Sequence, residues 1–256
     1  MNKTLYYGKD ISLTFDVGND SVVAVNRCRF EIPEGLITII YGPSGSGKSS
    51  LLNILSGLQS PSTGKLFYGK DDVYSQSKNE LAYFRAHELG IVYQTNYWVK
   101  SLNVLDNVSM PLFFLGMSRK QAHELARDAL HKVHMGNYAN KFPITLSGGE
   151  QQRIAMARAI VDDPPVIIAD EPTGNLDSAN GDKIIELLVD LNSRLKKTVV
   201  LVTHNLEYLP IAQHLLEIQD GNVKEIERNE IPVTVKLLLK DVESRIGRLA
   251  KKGATL

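Results

Sequence analysis

A glycine-rich segment that ends in a lysine and a serine has the clearest chemistry in this sequence. Residues 42–49 read G-P-S-G-S-G-K-S, which matches the phosphate-loop pattern G-x-x-x-x-G-K-[ST]. Such a loop turns backbone N–H groups inward around phosphate oxygens, at the positive end of the following helix. Lys48 is expected to reach the β- and γ-phosphates, and the Ser49 hydroxyl to bind Mg²⁺. The predicted nucleotide-binding residues here are Gly42, Pro43, Ser44, Gly45, Ser46, Gly47, Lys48, Ser49 and Ser50.

An acidic pair follows an aliphatic run later in the chain. Asp170 and Glu171 come directly after residues 166–169, whose sequence VIIA is typical of a strand buried on both faces. Open α/β sheets bind ligands at the carboxyl ends of their strands. We therefore expect Asp170 to hold Mg²⁺, directly or through water, and Glu171 to polarise an attacking water. The alternative is that Glu171 only caps a turn ahead of Pro172.

A second motif, L-S-G-G-E-Q-Q-R, occupies residues 146–153. Ser147 and Glu150 have the spacing of a capping box, which predicts the start of a helix. A capping box does not need Gly148 and Gly149, and two glycines beside a helix N-terminus expose N–H groups to an anion. A purely structural helix cap and an anion-binding turn therefore both remain open for this segment.

Two further polar residues stand at predicted strand ends. Gln94 follows the apolar residues 89–93, and His204 follows residues 198–203, 34 residues after Asp170. A glutamine after a strand is usually a surface residue, and a lone histidine is usually structural. Their positions at strand ends, in register with the other motifs, make both candidates for the same site.

The spacing of apolar residues predicts an α/β chain with a helical insertion. An apolar strand over 36–40 runs into the glycine loop, and a helix follows it, which is the order that a phosphate loop requires. Residues 198–202 form another buried strand, residues 11–41 form short strands around a turn at 18–20, and Asp220-Gly221 marks a hairpin. Residues 95–160 are predicted to be mostly helical, with a capping box at Ser118 and Gln121.

Composition limits the classes of protein and of partner. Lys plus Arg and Asp plus Glu both number 29, so the net charge is zero and no nucleic-acid partner is expected. Cys28 is the only cysteine, which excludes an internal disulfide and fits a reducing compartment. No apolar run approaches the length of a membrane span, and no signal-like stretch follows the first residues. We expect a cytosolic chain that needs a partner for any role at a membrane.

Together the motifs resemble those of the ATP-binding-cassette ATPases over roughly residues 3–228. The resemblance implies a P-loop NTPase core with a parallel sheet, an N-terminal antiparallel β-subdomain and an inserted helical subdomain. The resemblance also implies that the nucleotide is ATP. No base-reading motif is visible in the sequence, so the identity of the nucleotide rests on the resemblance alone. The expected boundaries are 1–94 and 161–230 for the ATP-binding core with its β-subdomain, 95–160 for the helical signature subdomain, and 231–256 for an amphipathic C-terminal tail.

The resemblance also implies roles for individual residues. In this family the signature segment, here Ser147, Gly148 and Gly149, binds the γ-phosphate of ATP held by the other subunit, and a segment matched by Asp177 joins the two sites. Gln94 then contacts Mg²⁺ or the attacking water, and His204 contacts the γ-phosphate. An aromatic residue from the N-terminal strands stacks on adenine. Phe15 falls in register for this contact; Tyr6 and Tyr7 are competitors, and a core position for Phe15 is the alternative.

The sequence E-P-T-G-N-L-D at residues 171–177 resembles the branch that serves membrane subunits with a large extracytoplasmic domain. This branch handles lipoprotein release, macrolide and peptide export, and cell division. It implies an ATP-hydrolysing subunit that forms a homodimer around two Mg-ATP and drives a membrane permease from the cytoplasmic face of the plasma membrane. Residues 97–99 (YWV) either lie beside the surface that receives a short helix of the permease or pack inside the helical subdomain.

Other functions and features stay open at this point. One alternative is a soluble cassette ATPase acting on DNA or ribosomes, and another is a regulatory sensor that binds ATP without hydrolysing it. Glu150 stands where many relatives have Gln, which should not affect phosphate binding. The tail over 231–256 has six Lys or Arg against two acidic residues, so it either contacts anionic lipid or a partner, or packs on its own domain.

Overall fold

The computed structural model describes residues 3–18 and 20–253, with the backbone alone for residues 245–253. Asn19 of the predicted turn and the last three residues of the predicted tail lie outside the described residues. The strands are β1 (Thr4–Val17), β2 (Asp20–Pro33), β3 (Ile37–Tyr41), β4 (Thr63–Tyr68), β5 (Asp71–Asp72), β6 (Leu89–Val92), β7 (Val166–Asp170), β8 (Thr198–Thr203), β9 (His214–Gln219) and β10 (Asn222–Ile226). The helices are α1 (Lys48–Leu55), α2 (Lys78–Glu88), α3 (Val104–Phe114), α4 (Arg119–Lys132), α5 (Gly148–Ala159), α6 (Ser178–Leu195) and α7 (Ile231–Gly253).

A six-stranded sheet in the order β10-β9-β3-β8-β7-β6 forms the centre of the molecule. Its strands are parallel apart from β10, which pairs antiparallel with β9. All residues of β3 and β8 are buried, because helices and a second sheet cover both faces. The carboxyl ends of β3, β8, β7 and β6 therefore meet along one edge, where polar residues can reach solvent.

A four-stranded antiparallel sheet, in the order β2-β1-β4-β5, is built mostly from the N-terminal part of the chain. The short strands predicted over 11–41 are wrong in length, since β1 and β2 are each 14 residues long. Their pairing continues across register shifts, and Asp10 and Arg27 have positive φ at such irregularities. The bulges mask the alternation of apolar and polar residues on which the prediction depended.

The predicted fold class is confirmed: a mainly parallel sheet, an antiparallel N-terminal sheet and an inserted helical segment are all present. Between β6 and β7 lie α3, α4 and α5, and the capping boxes predicted at Ser118 and Ser147 are both formed. The helix predicted after the glycine loop is shorter than expected, because α1 ends at Leu55 and Leu58 is half-exposed. Strands β4 and β5 and helix α2 were not predicted.

Two apolar cores lie on opposite faces of the central sheet. Ile39 of β3 points into the core that contains the inner faces of α3, α4, α5 and α6. Ile40 points into the core formed with α1 and the antiparallel sheet. Because successive strand residues alternate between faces, the sheet joins the two layers, and the site at its edge has rigid support from both sides.

The tail helix α7 begins by packing on its own domain. Ile231 and Val235 are buried, and Leu238 and Leu239 are partly buried against the same core, near the 3₁₀ segment Leu206–Ile211. The first turns of the tail therefore pack on their own domain, which is one of the two predicted alternatives. The basic residues after Ser244, on which contact with lipid or a partner would depend, have side chains outside the described residues.

Within the described residues, no helix combines the length and the apolar character that crossing a bilayer requires.

We expect Tyr6→Phe to stabilise the fold. Within the described part of the chain, the buried Tyr6 hydroxyl has no hydrogen-bond partner, whereas its ring packs edge-on against Tyr68 at 5.0 Å. Removing an unsatisfied hydroxyl and keeping the ring should raise the free energy of unfolding by about 1 kcal/mol. Tyr74→Phe is the matched control, because the Tyr74 hydroxyl lies 2.7 Å from the carbonyl oxygens of both Ile54 and Gln59, and its loss should destabilise. Urea unfolding measures both; a destabilised Tyr6→Phe would contradict the packing described here.

Candidate nucleotide-binding and catalytic site

The glycine loop connects β3 to α1 at the carboxyl edge of the central sheet. Gly47 is the N-cap of α1 and has φ 104, a conformation that disfavours other residues. A Cβ on Gly47 would lie 2.1 Å from the carbonyl oxygen of Ala24 in β2, so the loop also depends on close contact with the antiparallel sheet. The backbone supports this contact, since the Gly221 N–H donates to the Ser46 carbonyl and the Asn26 N–H to that of Gly221.

A cavity of about 400 Å³ opens in front of this loop. It brings together predicted residues from the ends of β3, β6, β7 and β8, together with three residues of β2. Its lining consists of Val22, Val23, Ala24, Ser44, Gly45, Gly47, Lys48, Ser49, Ser50, Gln94, Glu171 and His204. The residues of β2 were missed by sequence reasoning, because nothing in an alternating strand shows which loop it will approach.

The Lys48 side chain folds back over its own loop. Its Nζ donates to the carbonyl oxygens of Gly42 at 2.9 Å and Pro43 at 2.7 Å. Burial lowers the pKa of Lys48, and the nearby carboxylates Glu171 and Asp170 oppose this shift. A charge held by carbonyl groups at the mouth of a phosphate loop can exchange these contacts for stronger ones to phosphate.

Asp170 ends β7 with a buried carboxylate oxygen. This oxygen, Oδ1, has no hydrogen-bond partner among the residues that the structure describes. Burial raises the pKa of this carboxyl, with Glu171 raising it further. An orphaned buried carboxylate oxygen is costly without a cation or donor. Oxygen ligands from carboxylate and hydroxyl groups suit Mg²⁺, so Asp170 together with Ser49 fits a site for this metal.

Glu171 and His204 meet at the cavity. His204 Nδ1 lies 2.7 Å from Glu171 Oε2, and the imidazole is largely exposed whereas the carboxylate is largely buried. Glu171 has φ 46, and the turn is held by its N–H, which donates to the Val202 carbonyl at 2.9 Å. Such strain in a non-glycine residue is typical of functional sites. The pair can polarise a water and donate to an oxyanion.

Gln94 lies between the cavity and the loop that follows Glu171. Its side chain lines the cavity, and its Nε2 would be 2.9 Å from a Cβ at Gly174. The Gly174 N–H in turn donates to the Glu171 carbonyl at 3.0 Å. A displacement of the Gln94 side chain would therefore shift Gly174 and the turn that carries Glu171.

Phe15 is not a core aromatic, because 41% of it is exposed near the tip of the β1–β2 hairpin. It pairs across the strands with Val22, which lines the cavity, although Phe15 itself is not among the lining residues. The competitors point elsewhere: Tyr6 is fully buried, and Tyr7 stacks on Phe67. Phe15 is thus placed beside the cavity, with its ring accessible.

The signature residues form a second cluster. Ser147 caps α5, and the Glu150 carboxylate accepts from the Ser147 N–H and hydroxyl, both at 2.8 Å. These hydrogen bonds lower the pKa of Glu150 to about 2, with a smaller contribution from Tyr138, so the cap stays charged at neutral pH. A Cβ on Gly149 would lie 2.8 Å from Asn180 Cγ, and Asn180 is hydrogen-bonded to Asp177, the cap of α6.

This second cluster is separate from the cavity. Among the residues that the structure describes, the cavity's lining includes none of Ser147, Gly148, Gly149 and Asp177. The phosphate loop, Glu171 and His204 therefore line one cavity, whereas the N-terminus of α5 and Asp177 lie outside it.

Two neighbouring residues of the segment over 97–99 differ in environment: one packs inside the helical segment and the other is exposed. Trp98 packs inside the helical segment, where its Nε1 donates to Gln151 Oε1 at 2.8 Å. Tyr97 is 72% exposed and lines a groove of about 340 Å³ with Tyr93, Pro111 and Arg158. Arg158 was missed, since no pattern distinguishes a half-buried arginine near a helix end from an exposed one.

Comparison with known proteins decides the family. The ABC transporter family model matches residues 25–174. An uncharacterised ABC transporter ATP-binding protein of Thermotoga maritima is 40% identical over 87% of this chain and 94% of its own length. The chain is an ABC transporter ATPase. The lipoprotein-releasing system ATP-binding protein LolD of Treponema denticola is 38% identical, over 88% of this chain and 100% of its own.

Solved structures agree with this assignment. The dimeric structure of MJ0796, a bacterial ABC transporter cassette, matches with a TM-score of 0.82 and 36% identity, over 88% of this chain and 99% of that chain. A post-hydrolysis structure of MJ0796, bound to ADP and Pi, matches with a TM-score of 0.81 and 35% identity over the same shares. The gene of MJ0796 belongs to Methanocaldococcus jannaschii. This ABC transporter ATPase therefore binds and hydrolyses ATP.

Proposed function

We propose that this ABC transporter ATPase closes as a homodimer around two Mg-ATP and drives a membrane permease from the cytoplasmic face of the plasma membrane. One observation carries the proposal: the phosphate loop, Glu171 and His204 line the cavity, with Asp170 next to Glu171 at the end of β7, while the signature cluster lies outside it. A helix N-terminus with exposed N–H groups binds anions. The N-terminus of α5 lies outside the cavity that contains the phosphate loop of its own chain. A second copy supplies the missing half.

Within one subunit, each side chain at the cavity takes a defined part. Lys48 leaves the Gly42 and Pro43 carbonyls and binds the β- and γ-phosphates. Ser49, Asp170 and Gln94 hold Mg²⁺, which when bound neutralises charge that develops on the phosphates. Glu171 orients and polarises the attacking water, and His204 donates to a γ-phosphate oxygen.

The remaining contacts concern the nucleotide's other end and the second subunit. Phe15, exposed beside the cavity, stacks on adenine. Ser147 and the N–H groups of Gly148 and Gly149 stabilise the γ-phosphate held by the partner copy. Asp177 caps α6 through Asn180, and Asn180 contacts Gly149, so a shift of the signature turn reaches the segment that joins the two sites.

The groove at Tyr97 is the proposed docking place of a short permease helix. The exposed Tyr97 and two arginines, Arg85 and Arg158, line it, and aromatic residues and arginine are enriched at interface centres. Several relatives are named for lipoprotein release, which supports a permease with a large extracytoplasmic domain that handles lipoproteins or peptides. Gln94 and Tyr97 are three residues apart, so one short segment lines both the nucleotide cavity and the proposed docking groove.

Glu171→Gln should trap the ATP-bound dimer. The variant keeps every phosphate contact and loses only the group that activates water, so ATP should bind and persist. We expect sedimentation velocity to show a dimer with Mg-ATP and a monomer without it. Glu207→Gln, an exposed carboxylate after His204, is the control and should not accumulate the dimer.

Lys48→Ala in the same Glu171→Gln background should abolish this dimer, because losing a charged phosphate contact should weaken ATP binding about tenfold or more. A Glu171→Gln protein that stays monomeric with saturating Mg-ATP would contradict the shared-site proposal.

Tyr97→Ala should separate docking from hydrolysis. The exposed ring contributes to the groove, so its loss should reduce recovery of the permease several-fold in a tagged pull-down from detergent-solubilised membranes. ATPase activity of the isolated subunit should stay within about twofold, because Tyr97 does not line the nucleotide cavity. Tyr83→Ala, an equally exposed aromatic residue on α2, is the matched control.

Recovery of a four-span membrane protein with a large extracytoplasmic domain by the wild type and the control, but not by Tyr97→Ala, is the expected result. Equal recovery by Tyr97→Ala would place the docking surface elsewhere, and recovery of only ribosomal or DNA-associated proteins would contradict the transporter role.

A further inference from the structure

Three side-chain hydrogen bonds tie the signature helix α5 to the segment over 93–98. Trp98 Nε1 donates to Gln151 Oε1 at 2.8 Å, Gln152 Nε2 donates to the Tyr93 carbonyl at 3.2 Å, and the Arg158 guanidinium donates to the Asn96 carbonyl at 2.6 Å. The partners are more than 50 residues apart in sequence. The contacts are therefore long-range and hold two functional segments in a fixed relation.

Of these contacts, the one made by Trp98 leads directly to the signature turn. Gln151, which accepts from Trp98, uses its own Nε2 to donate to the Leu146 carbonyl at 3.0 Å. Leu146 directly precedes Ser147, the cap of α5. A continuous path of two hydrogen bonds thus runs from the indole to the peptide group that enters the signature motif.

The Trp98 ring is also fixed from its face. The guanidinium of Arg158 lies 4.6 Å from the ring centroid, in a cation–π arrangement, and Arg158 is largely withdrawn from solvent. Its neighbour Tyr97 has φ 45 and extends into the groove. Motion of the groove-lining segment must therefore either carry the indole with it or break the bond to Gln151.

We propose that Trp98 is a positioning residue: through Gln151 it holds the signature turn in the orientation that receives the partner's ATP. The inference rests on the ATP-held dimer proposed above, and deepens it by naming the contact that presets the half-site. Trp98 is not among the described residues that line the nucleotide cavity. Its removal should therefore change dimer closure and leave ATP binding by one chain intact.

Trp98→Phe is the informative substitution. Phenylalanine keeps an aromatic face for Arg158, and it removes the N–H donor together with one ring of the indole. Gln151→Met removes this hydrogen bond from its other end at similar volume, and it also removes the bond from Gln151 Nε2 to the Leu146 carbonyl. If the path through Gln151 is responsible, Gln151→Met should have an effect at least as large as that of Trp98→Phe, and the double variant should be no worse than Gln151→Met alone.

The experiment is sedimentation equilibrium with Mg-ATP in the Glu171→Gln background. Each dimer contains two copies of the bond, so Trp98→Phe should raise the dimer dissociation constant about tenfold. Gln151→Met should raise the dissociation constant at least as much, and Trp98→Phe combined with Gln151→Met should lie within about twofold of Gln151→Met alone. ATP affinity, measured at concentrations where the chain is monomeric, should be unchanged, as should the melting temperature to within a few degrees.

Each other outcome overturns the inference. An unchanged dimer constant in Trp98→Phe, or a double variant whose effect is the sum of the two, would mean that the bond does not set the signature turn. A parallel loss of ATP affinity would mean that Trp98 supports the nucleotide cavity instead. If Glu171→Gln alone fails to dimerise, the proposed function fails and this inference with it; if it dimerises and Trp98→Phe does so equally, only the inference fails.

Discussion

Burial of the parallel strands on both faces is the constraint on which the site depends. Strands β3, β8 and β7 consist almost entirely of buried residues, so polar groups find room only where the strands end. The glycine loop, Asp170 and His204 all occupy such ends. Because the strands are parallel and in register, these ends lie along one edge, and groups far apart in sequence meet within one cavity.

The same edge is held in an arrangement that is costly without a ligand. Asp170 has a buried oxygen without a partner, Glu171 takes a left-handed conformation, and the Gly47 loop tolerates no side chain against Ala24. The packing of both cores offsets the free-energy cost of these features, because it keeps the strands beneath the edge rigid. The edge is thereby preorganised, so the proposed phosphate and metal contacts would require little rearrangement of it.

Local motifs explain how much of the site could be predicted. The glycine loop, the acidic pair and the signature turn are each contiguous, so sequence alone located them and the order of elements around them. The long strands β1 and β2 could not be predicted, because bulges at Asp10 and Arg27 interrupt their alternation. The contacts of Trp98 with Gln151 and Arg158 were equally hidden, since side chains more than 50 residues apart meet only after the helices pack. The register of Phe15 predicted adenine stacking. Its exposure and its pairing with Val22 are compatible with that role, which stays a proposal.

One comparison of variants decides whether each catalytic site is shared between two copies. Ser147→Arg, placed in the Glu171→Gln background, puts a bulky side chain at the signature turn, outside the cavity of its own chain. We predict that this protein binds Mg-ATP as a monomer with unchanged affinity but no longer forms the dimer in sedimentation velocity. Loss of ATP binding by the monomer would show that the signature serves its own chain's site, and an undiminished dimer would show that it serves neither; either result would contradict the account.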